Sequence, residues 1–304
     1  MLPVEKNQKK NPKNIFVFLF LLIKSRTIVY GFAIASLGTY FIANGFQTPD
    51  PLVILKITTS TYLLALATYL YNDLTDLRID SENQTETSYS TKKVEHGRIL
   101  FSTISFFIIS ISLAFSINLL VGISSLVFTG LAIAYSHPMT HLKDMFVIKT
   151  VVTALGGFIA SMMGAFAAEN FSSLVLASSF IVFLFYFVNG PLNDIRDVKG
   201  DQIGGRRTIP IVLGVKKSFY LINAIVLSVI SILIISFLMF NVHFLGLISG
   251  LIISAYLLMR IKKLSYNYVN RTLMNKTRTL VRNSMFAVQI SLWFGFIITN
   301  FEFF

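Results

Sequence analysis

Residues 61–80 read TYLLALATYLYNDLTDLRID, and residues 180–201 read FIVFLFYFVNGPLNDIRDVKGD. Each stretch is an apolar run that ends in the same nine-residue pattern, N-D-x-x-D-x-x-x-D. We call residues 72–80 the first acidic box and residues 193–201 the second acidic box. Together they hold six of the 14 acidic residues in the chain. Because carboxylates at the edge of a bilayer are costly to desolvate, such clustering requires a chemical cause.

The composition is that of a membrane protein. Hydrophobic residues make up 54% of the 304 residues, charged residues 13%, and the mean hydropathy is +0.70, whereas soluble domains average about 25% charged residues. Apolar runs recur along the whole length, so we predict an all-α, polytopic membrane protein. We expect a single membrane domain over residues 1–304, with residues 1–14 as a basic tail. The predicted transmembrane helices number nine: 15–43, 51–71, 99–117, 119–135, 147–168, 172–192, 218–240, 242–259 and 283–300.

The basic residues are distributed unevenly between the two predicted sides of the membrane. Of 26 Lys and Arg residues, all but Lys56 fall in alternate polar segments, which are residues 1–26, 72–98, 136–149, 193–217 and 260–282. This is the positive-inside pattern, so we place the N-terminus and both boxes on the cytoplasmic side of the cell membrane. The pattern also explains the net charge of +12 without a nucleic-acid partner. With no cysteine, the chain has no thiolate ligand or cysteine nucleophile.

The spacing of the boxes predicts a metal site. Residues four apart share one face of a helix. In the first box this face carries Asn72, Asp76 and Asp80, with Asp73 beside it, and the second box repeats it as Asn193, Asp197 and Asp201, with Asp194. Two such faces would repel each other unless a hard cation lay between them, and Mg²⁺ prefers oxygen ligands of this kind. Since Mg²⁺ also takes oxygens from a phosphorylated substrate, a diphosphate completes the site.

A diphosphate becomes a good leaving group when cations neutralise its charge. Lys143, just past the fourth predicted span, is the main candidate, although an ordinary positive-inside lysine would look the same. The alternatives, most of which would be cytoplasmic surface charge, are Arg78, Arg196, Arg206, Arg207, Lys92 and Lys93. Tyr135 is a candidate to bond the diphosphate or to face an allylic cation, and an interfacial tyrosine is the other interpretation.

Two further segments resemble a known family. Residues 135–143, YSHPMTHLK, are similar to a Y-S-x-P-x-x-x-L-K segment, and residues 200–214, GDQIGGRRTIPIVLG, to a G-D-x-x-x-G-[KR]-x-T-[IL]-P…L-G stretch. With the boxes, these matches are ordered over residues 72–214. On them the chain resembles the UbiA-type intramembrane prenyltransferases.

The resemblance implies transfer of a prenyl group from a polyprenyl diphosphate to an aromatic or lipid acceptor within the bilayer. It implies a nine-helix bundle whose central cavity opens to the cytoplasmic side, with Mg²⁺ held by both boxes. Carried over by position, the metal ligands are Asn72, Asp76, Asp80, Asn193, Asp197 and Asp201. The implied diphosphate contacts are Asn72, Asn193, Arg78, Arg206 and Lys143. Asp73 and Asp194 are additional ligands or candidate catalytic bases.

Two other functions stay open at this point. A terpene cyclase on the same scaffold would keep both boxes and need no acceptor. An ion-coupled transporter would also place carboxylates within the membrane. The two boxes enter from spans two and six in the same orientation, whereas inverted repeats would favour transport.

Overall fold

The computed structural model describes the backbone of residues 29–82 and 96–301, and the side chains of residues 29–75 and 97–299. Within these ranges the chain is helical and contains no strand. In chain order the helices are α1 Tyr30–Asn44, α2 Pro51–Glu82, α3 His96–Phe115, α4 Leu119–Ser136, a 3-10 turn Leu142–Asp144, α5 Ile148–Ala167, α6 Ser173–Ile203, α7 Ile209–Leu213, α8 Val215–Met239, α9 Phe244–Tyr266 and α10 Arg271–Phe301.

The predicted all-α membrane class is confirmed. Eight of the described helices, all except α1 and α7, are long and apolar enough to cross a bilayer. The protein is therefore an integral membrane protein. Helix α1 is the described end of the first predicted span, 15–43. The remainder of that span lies outside the described residues, so the count of nine stays a prediction.

Helices α2 and α6 are longer than the spans predicted from hydropathy. Helix α2 has 32 residues and α6 has 31, against predicted spans of 51–71 and 172–192. Helix α2 begins after Asp50, whose Oδ1 accepts the backbone N–H of Leu52 at 2.8 Å, with Pro51 in the first helical position. The second acidic box is helical throughout, and α6 continues through Pro191. Both boxes therefore belong to the last turns of long helices.

Helix α1 occupies the middle of the described bundle, packing against α2, α5, α6 and α10. The approach of α5 depends on Gly164, where an added Cβ would lie 1.9 Å from the carbonyl oxygen of Ser36. Small residues that let helix backbones come this close are typical of membrane bundles. Buried side chains also form hydrogen bonds between α1 and its other neighbours. The hydroxyls of Ser36 and Thr61 of α2 are bonded at 3.0 Å, and Gln289 of α10 donates to Thr39 at 3.1 Å.

Candidate active site

A single turn between α4 and α5 links the two acidic boxes. In this turn Lys143 donates from Nζ to Oγ1 of Thr75, in the first box, at 2.6 Å. The next residue, Asp144, accepts a bond from Nε of Arg206 at 2.9 Å, and Nη1 of Arg206 lies 3.4 Å from Oδ1 of Asp201 in the second box. Adjacent residues of one turn thus connect to both boxes, so the described parts of the boxes lie at the same end of the bundle.

The first box is described only in part. Oδ1 of Asn72 accepts a hydrogen bond from the Ser136 hydroxyl at 3.0 Å, which fixes the amide against α4. Asp73 is buried, with 4% of its surface exposed. The side chains of three predicted site residues lie outside the described residues: Asp76, Arg78 and Asp80. Their assigned roles stay predictions.

In the second box, buried and partly buried carboxylates are paired with cations. Asp194 is 1% exposed, and its Oδ1 lies 2.6 Å from Nζ of Lys149, at the start of α5. The same Nζ is 3.9 Å from Asp201. Asp197 accepts a bond from Nε of its neighbour Arg196 at 2.7 Å. Buried charges need partners of this kind, because an uncompensated buried charge is strongly destabilising.

Some oxygen atoms of the second box have no partner among the described residues, and Asn193 carries one of them. Its Oδ1 is buried and has no hydrogen-bond partner among the described residues. A buried amide oxygen without a protein partner is energetically costly, so this oxygen is available to a water molecule or an ion. It is also the kind of oxygen donor that a hard divalent cation takes.

The oxygen donors fit Mg²⁺, but the described residues do not complete a site. Among them, no three acidic or histidine side chains are grouped so that they could hold a metal. Asn193 and Asp197 are suitable ligands in the second box, and Asn72 in the first. The remaining oxygens would have to come from Asp76 and Asp80, outside the described side chains, or from a bound phosphate group.

Below Asn72 the bundle contains an apolar cavity with an aromatic wall. Its empty volume, including the open mouth, is about 580 Å³. The lining comes from α1, α2, α4 and α5: Phe32, Ala65, Thr68, Tyr69, Asn72, Phe128, Leu131, Ala132, Tyr135, Val152, Thr153 and Gly156. The Phe32 ring also packs against Phe128 and Tyr186, with centroids 5.7 and 4.6 Å away. Such a cavity suits an apolar chain, and its aromatic faces attract a cation.

Three cations near the boxes escaped the sequence interpretation. Lys149 looked like one more positive-inside residue, yet it forms the ion pair with Asp194. Arg278 and Arg282 of α10 are the other two. Arg278 interacts electrostatically with Asp197 and Tyr69, and Arg282 with Tyr186. Their spacing of four residues, just before the last apolar run, was the available signal.

Comparison with known proteins agrees with this arrangement. A model of the UbiA prenyltransferase family matches residues 15–288. The digeranylgeranylglyceryl phosphate synthase of Sulfurisphaera tokodaii is 25% identical over 214 residues, covering 69% of this chain and 75% of that protein. The protein of the same name from Methanosphaera stadtmanae is 29% identical over 160 residues, covering 53% of this chain and 57% of that protein.

Solved structures share the fold. A structure of digeranylgeranylglyceryl phosphate synthase in membranes superposes with a TM-score of 0.69 at 18% identity, covering 93% of this chain and 99% of that chain. A UbiA homologue from Archaeoglobus fulgidus, bound to GPP and Mg²⁺, superposes with a TM-score of 0.65 at 16% identity, covering 92% and 99%. At these identities the likeness establishes the architecture.

Proposed function

The chain belongs to the UbiA prenyltransferase family, and we propose that this membrane prenyltransferase takes a polyprenyl diphosphate as donor and a phosphate-bearing lipid as acceptor. The observation that carries the proposal is the turn Leu142–Asp144. Through Lys143 and Asp144 it joins both acidic boxes at the end of the bundle where Asn72 lines the apolar cavity. A charged head group and an apolar tail would each find a matching environment there.

The donor's diphosphate would bind between the boxes together with Mg²⁺, held by Asn72, Asp76, Asp80, Asn193, Asp197 and Asp201. When bound, Mg²⁺ neutralises the charge that develops on the departing diphosphate. The complex of the Archaeoglobus fulgidus homologue with GPP and Mg²⁺ supports this choice of donor and ion. Lys143 would add its ammonium group at the same oxygens, and Arg206 would hold Asp201 and Asp144 in place.

The cavity would receive the prenyl tail and protect the allylic cation from water. The aromatic faces of Phe32, Tyr69 and Phe128, with Tyr135 near the boxes, would stabilise that positive charge. The acceptor hydroxyl must lose a proton as its oxygen bonds to the allylic carbon. We assign this proton to one of the two buried carboxylates at the box positions beside the metal-ligand face, Asp73 or Asp194.

The acceptor is proposed from the relatives. Both are named digeranylgeranylglyceryl phosphate synthases, a name for enzymes whose product is a glyceryl phosphate carrying two prenyl groups. A prenylated glyceryl phosphate is therefore the acceptor that we propose for this chain. We further propose a single membrane domain, with the N-terminus and both boxes on the cytoplasmic side, because the basic segments all lie at that end of the predicted topology.

The test neutralises one predicted metal ligand, Asp197, without changing its size. Asp197→Asn should lower the rate of diphosphate release from geranylgeranyl diphosphate by about 100- to 1,000-fold, as expected for losing one electrostatic contact to the transition state. Chelation should inactivate the wild type, and Mg²⁺ should restore it. Glu169→Gln, an exposed change in the α5–α6 loop, is the control. Full turnover in Asp197→Asn or in excess chelator would overturn the proposal, and a hydrocarbon formed from the donor alone would indicate a cyclase.

A further inference from the structure

Two arginines on the last helix have no assigned role. Arg278 and Arg282 lie four residues apart on α10, so they share a face. That helix packs against α1, α6 and α9. Both arginines are partly buried, whereas Lys276 on the same helix is exposed. Positive-inside arginines commonly bury their aliphatic stems and keep the guanidinium in water, whereas in Arg278 the donor Nε is itself buried.

Arg282 lies in a close contact between three helices. A Cβ added to Gly31 of α1 would be 3.5 Å from Cδ of Arg282 and 2.9 Å from the Tyr186 hydroxyl of α6. The Tyr186 hydroxyl is buried and has no hydrogen-bond partner in the described part of the chain. Arg282 likewise forms no ion pair or hydrogen bond with any described residue. The guanidinium group of Arg282 and the hydroxyl of Tyr186 thus lie close together, and no described residue accepts a hydrogen bond from either.

Arg278 also lacks an acceptor for its buried donor. Its Nε is buried without a partner among the described residues, and its Nη1 makes only a 3.4 Å contact with Asn275. The described carboxylate that acts on Arg278 is Asp197, which is already bonded to Arg196. Arg196 itself repels Arg278. An anion at this point would satisfy the free donor and relieve the repulsion.

The cations that contact the carboxylates of the second box differ in this respect. Lys149, Arg196 and Arg206 each have a carboxylate partner. Arginine's planar fork of donors suits phosphate in particular, because it places two parallel bonds on the oxygens. The pair on α10 therefore has the chemistry of a phosphate site in which the phosphate is supplied from outside the described protein.

We propose that Arg278, Arg282 and Tyr186 bind the phosphate group of the acceptor lipid. The inference rests on the proposed function and adds the residues that select the acceptor. The donor's diphosphate has its own cation in Lys143, on the α4–α5 turn, and α10 does not contribute to the cavity lining. A phosphate held by α10 would lie beside that cavity, between Asp197 and Tyr186. Two substrates with phosphate groups would thus use different cations, Lys143 for the donor and the arginines of α10 for the acceptor.

The experiment compares two acceptors with the same donor, geranylgeranyl diphosphate. One acceptor is a prenylated glyceryl phosphate, and the other is the same lipid without phosphate. Arg278→Gln and Arg282→Gln should each raise the KM for the phosphate lipid by about 10- to 100-fold, the loss expected for a charge-assisted bond. The KM for the donor should not change, and the two acceptors should become nearly equivalent. Lys276→Gln on the same helix is the matched control.

A second measurement does not depend on turnover. Calorimetry measures the binding of both lipids to the Mg²⁺-loaded protein, with a prenyl thiodiphosphate in place of the donor. Tyr186→Phe, which removes only the hydroxyl, should weaken binding of the phosphate lipid by a few-fold and tests the site if an arginine variant fails to fold. A raised KM for the donor, or unchanged preference for the phosphate lipid, would overturn the proposal. If the wild type binds the phosphate lipid through these residues but forms no product, the proposed reaction fails and the anion site stands.

Discussion

Lys149 illustrates how a single buried charge is compensated in this protein. Its Nζ lies 2.6 Å from Asp194 and 3.9 Å from Asp201, and both carboxylates are almost fully buried. In a medium of low polarity, either charge alone would be strongly unfavourable. The ion pair between Lys149 and Asp194 therefore helps to position the second box before any metal binds.

We predict that Lys149→Met lowers the free energy of unfolding by about 3–5 kcal/mol, because it leaves Asp194 buried without its partner. The double variant Lys149→Met/Asp194→Asn should recover most of the loss, since neither charge then remains unpaired. Denaturant unfolding in detergent measures both values. Lys216→Met, at an exposed site on α8, controls for the loss of a lysine as such. Equal stability of Lys149→Met and the wild type would contradict the pairing.

On helix α5, two glycines eight residues apart have different surroundings. At Gly164 an added Cβ would lie 1.9 Å from the backbone of Ser36, which cannot move without moving α1. At Gly156 the added Cβ would meet the rings of Phe128 and Phe32 at 3.5 and 3.7 Å, an ordinary contact distance. Only the first glycine is required by helix packing.

We therefore expect Gly164→Ala to lower the melting temperature in detergent, because overpacking of this kind costs about 1–3 kcal/mol. Gly156→Ala should leave the melting temperature close to that of the wild type, and it serves as the matched control on the same helix. Equal melting temperatures for the two variants would show that α1 and α5 are not held as closely as described.

The helices and the acidic boxes were predictable from the sequence, whereas their partners were not. Apolar runs predicted α2 and α6 correctly, but hydropathy marks where the lipid ends and not where the helical backbone ends. Both helices consequently extend past their predicted limits. Pro191, two residues before the second box, does not end α6. The repeated spacing predicted Asn193 and Asp197 as metal ligands, and that assignment stays a prediction. Lys149, Arg278 and Arg282 were missed because a basic residue near the end of a span already satisfies the positive-inside rule. Only tertiary packing pairs Lys149 with Asp194 and partly buries the two arginines.

The described part of the bundle has one end rich in charged side chains and one end poor in them. The turn at Lys143, the second box, and the first turns of α10 lie together at the rich end. The loop between α1 and α2, residues 45–50, has no Lys or Arg and lies at the other end of α1. Since bilayers orient such chains by the position of Lys and Arg, the sequence predicts that substrates with charged heads reach the boxes from the cytoplasm.

The absence of cysteine makes this orientation directly measurable. Gln47→Cys and Asn267→Cys each place one thiol at an exposed loop position and leave every charge unchanged. In intact cells a membrane-impermeant maleimide should label Gln47→Cys, while Asn267→Cys, next to the start of α10, should react only after permeabilisation. Retained prenyl transfer in both variants controls for folding. The reverse labelling pattern would place the boxes outside the cell and would remove the proposed route by which both substrates arrive.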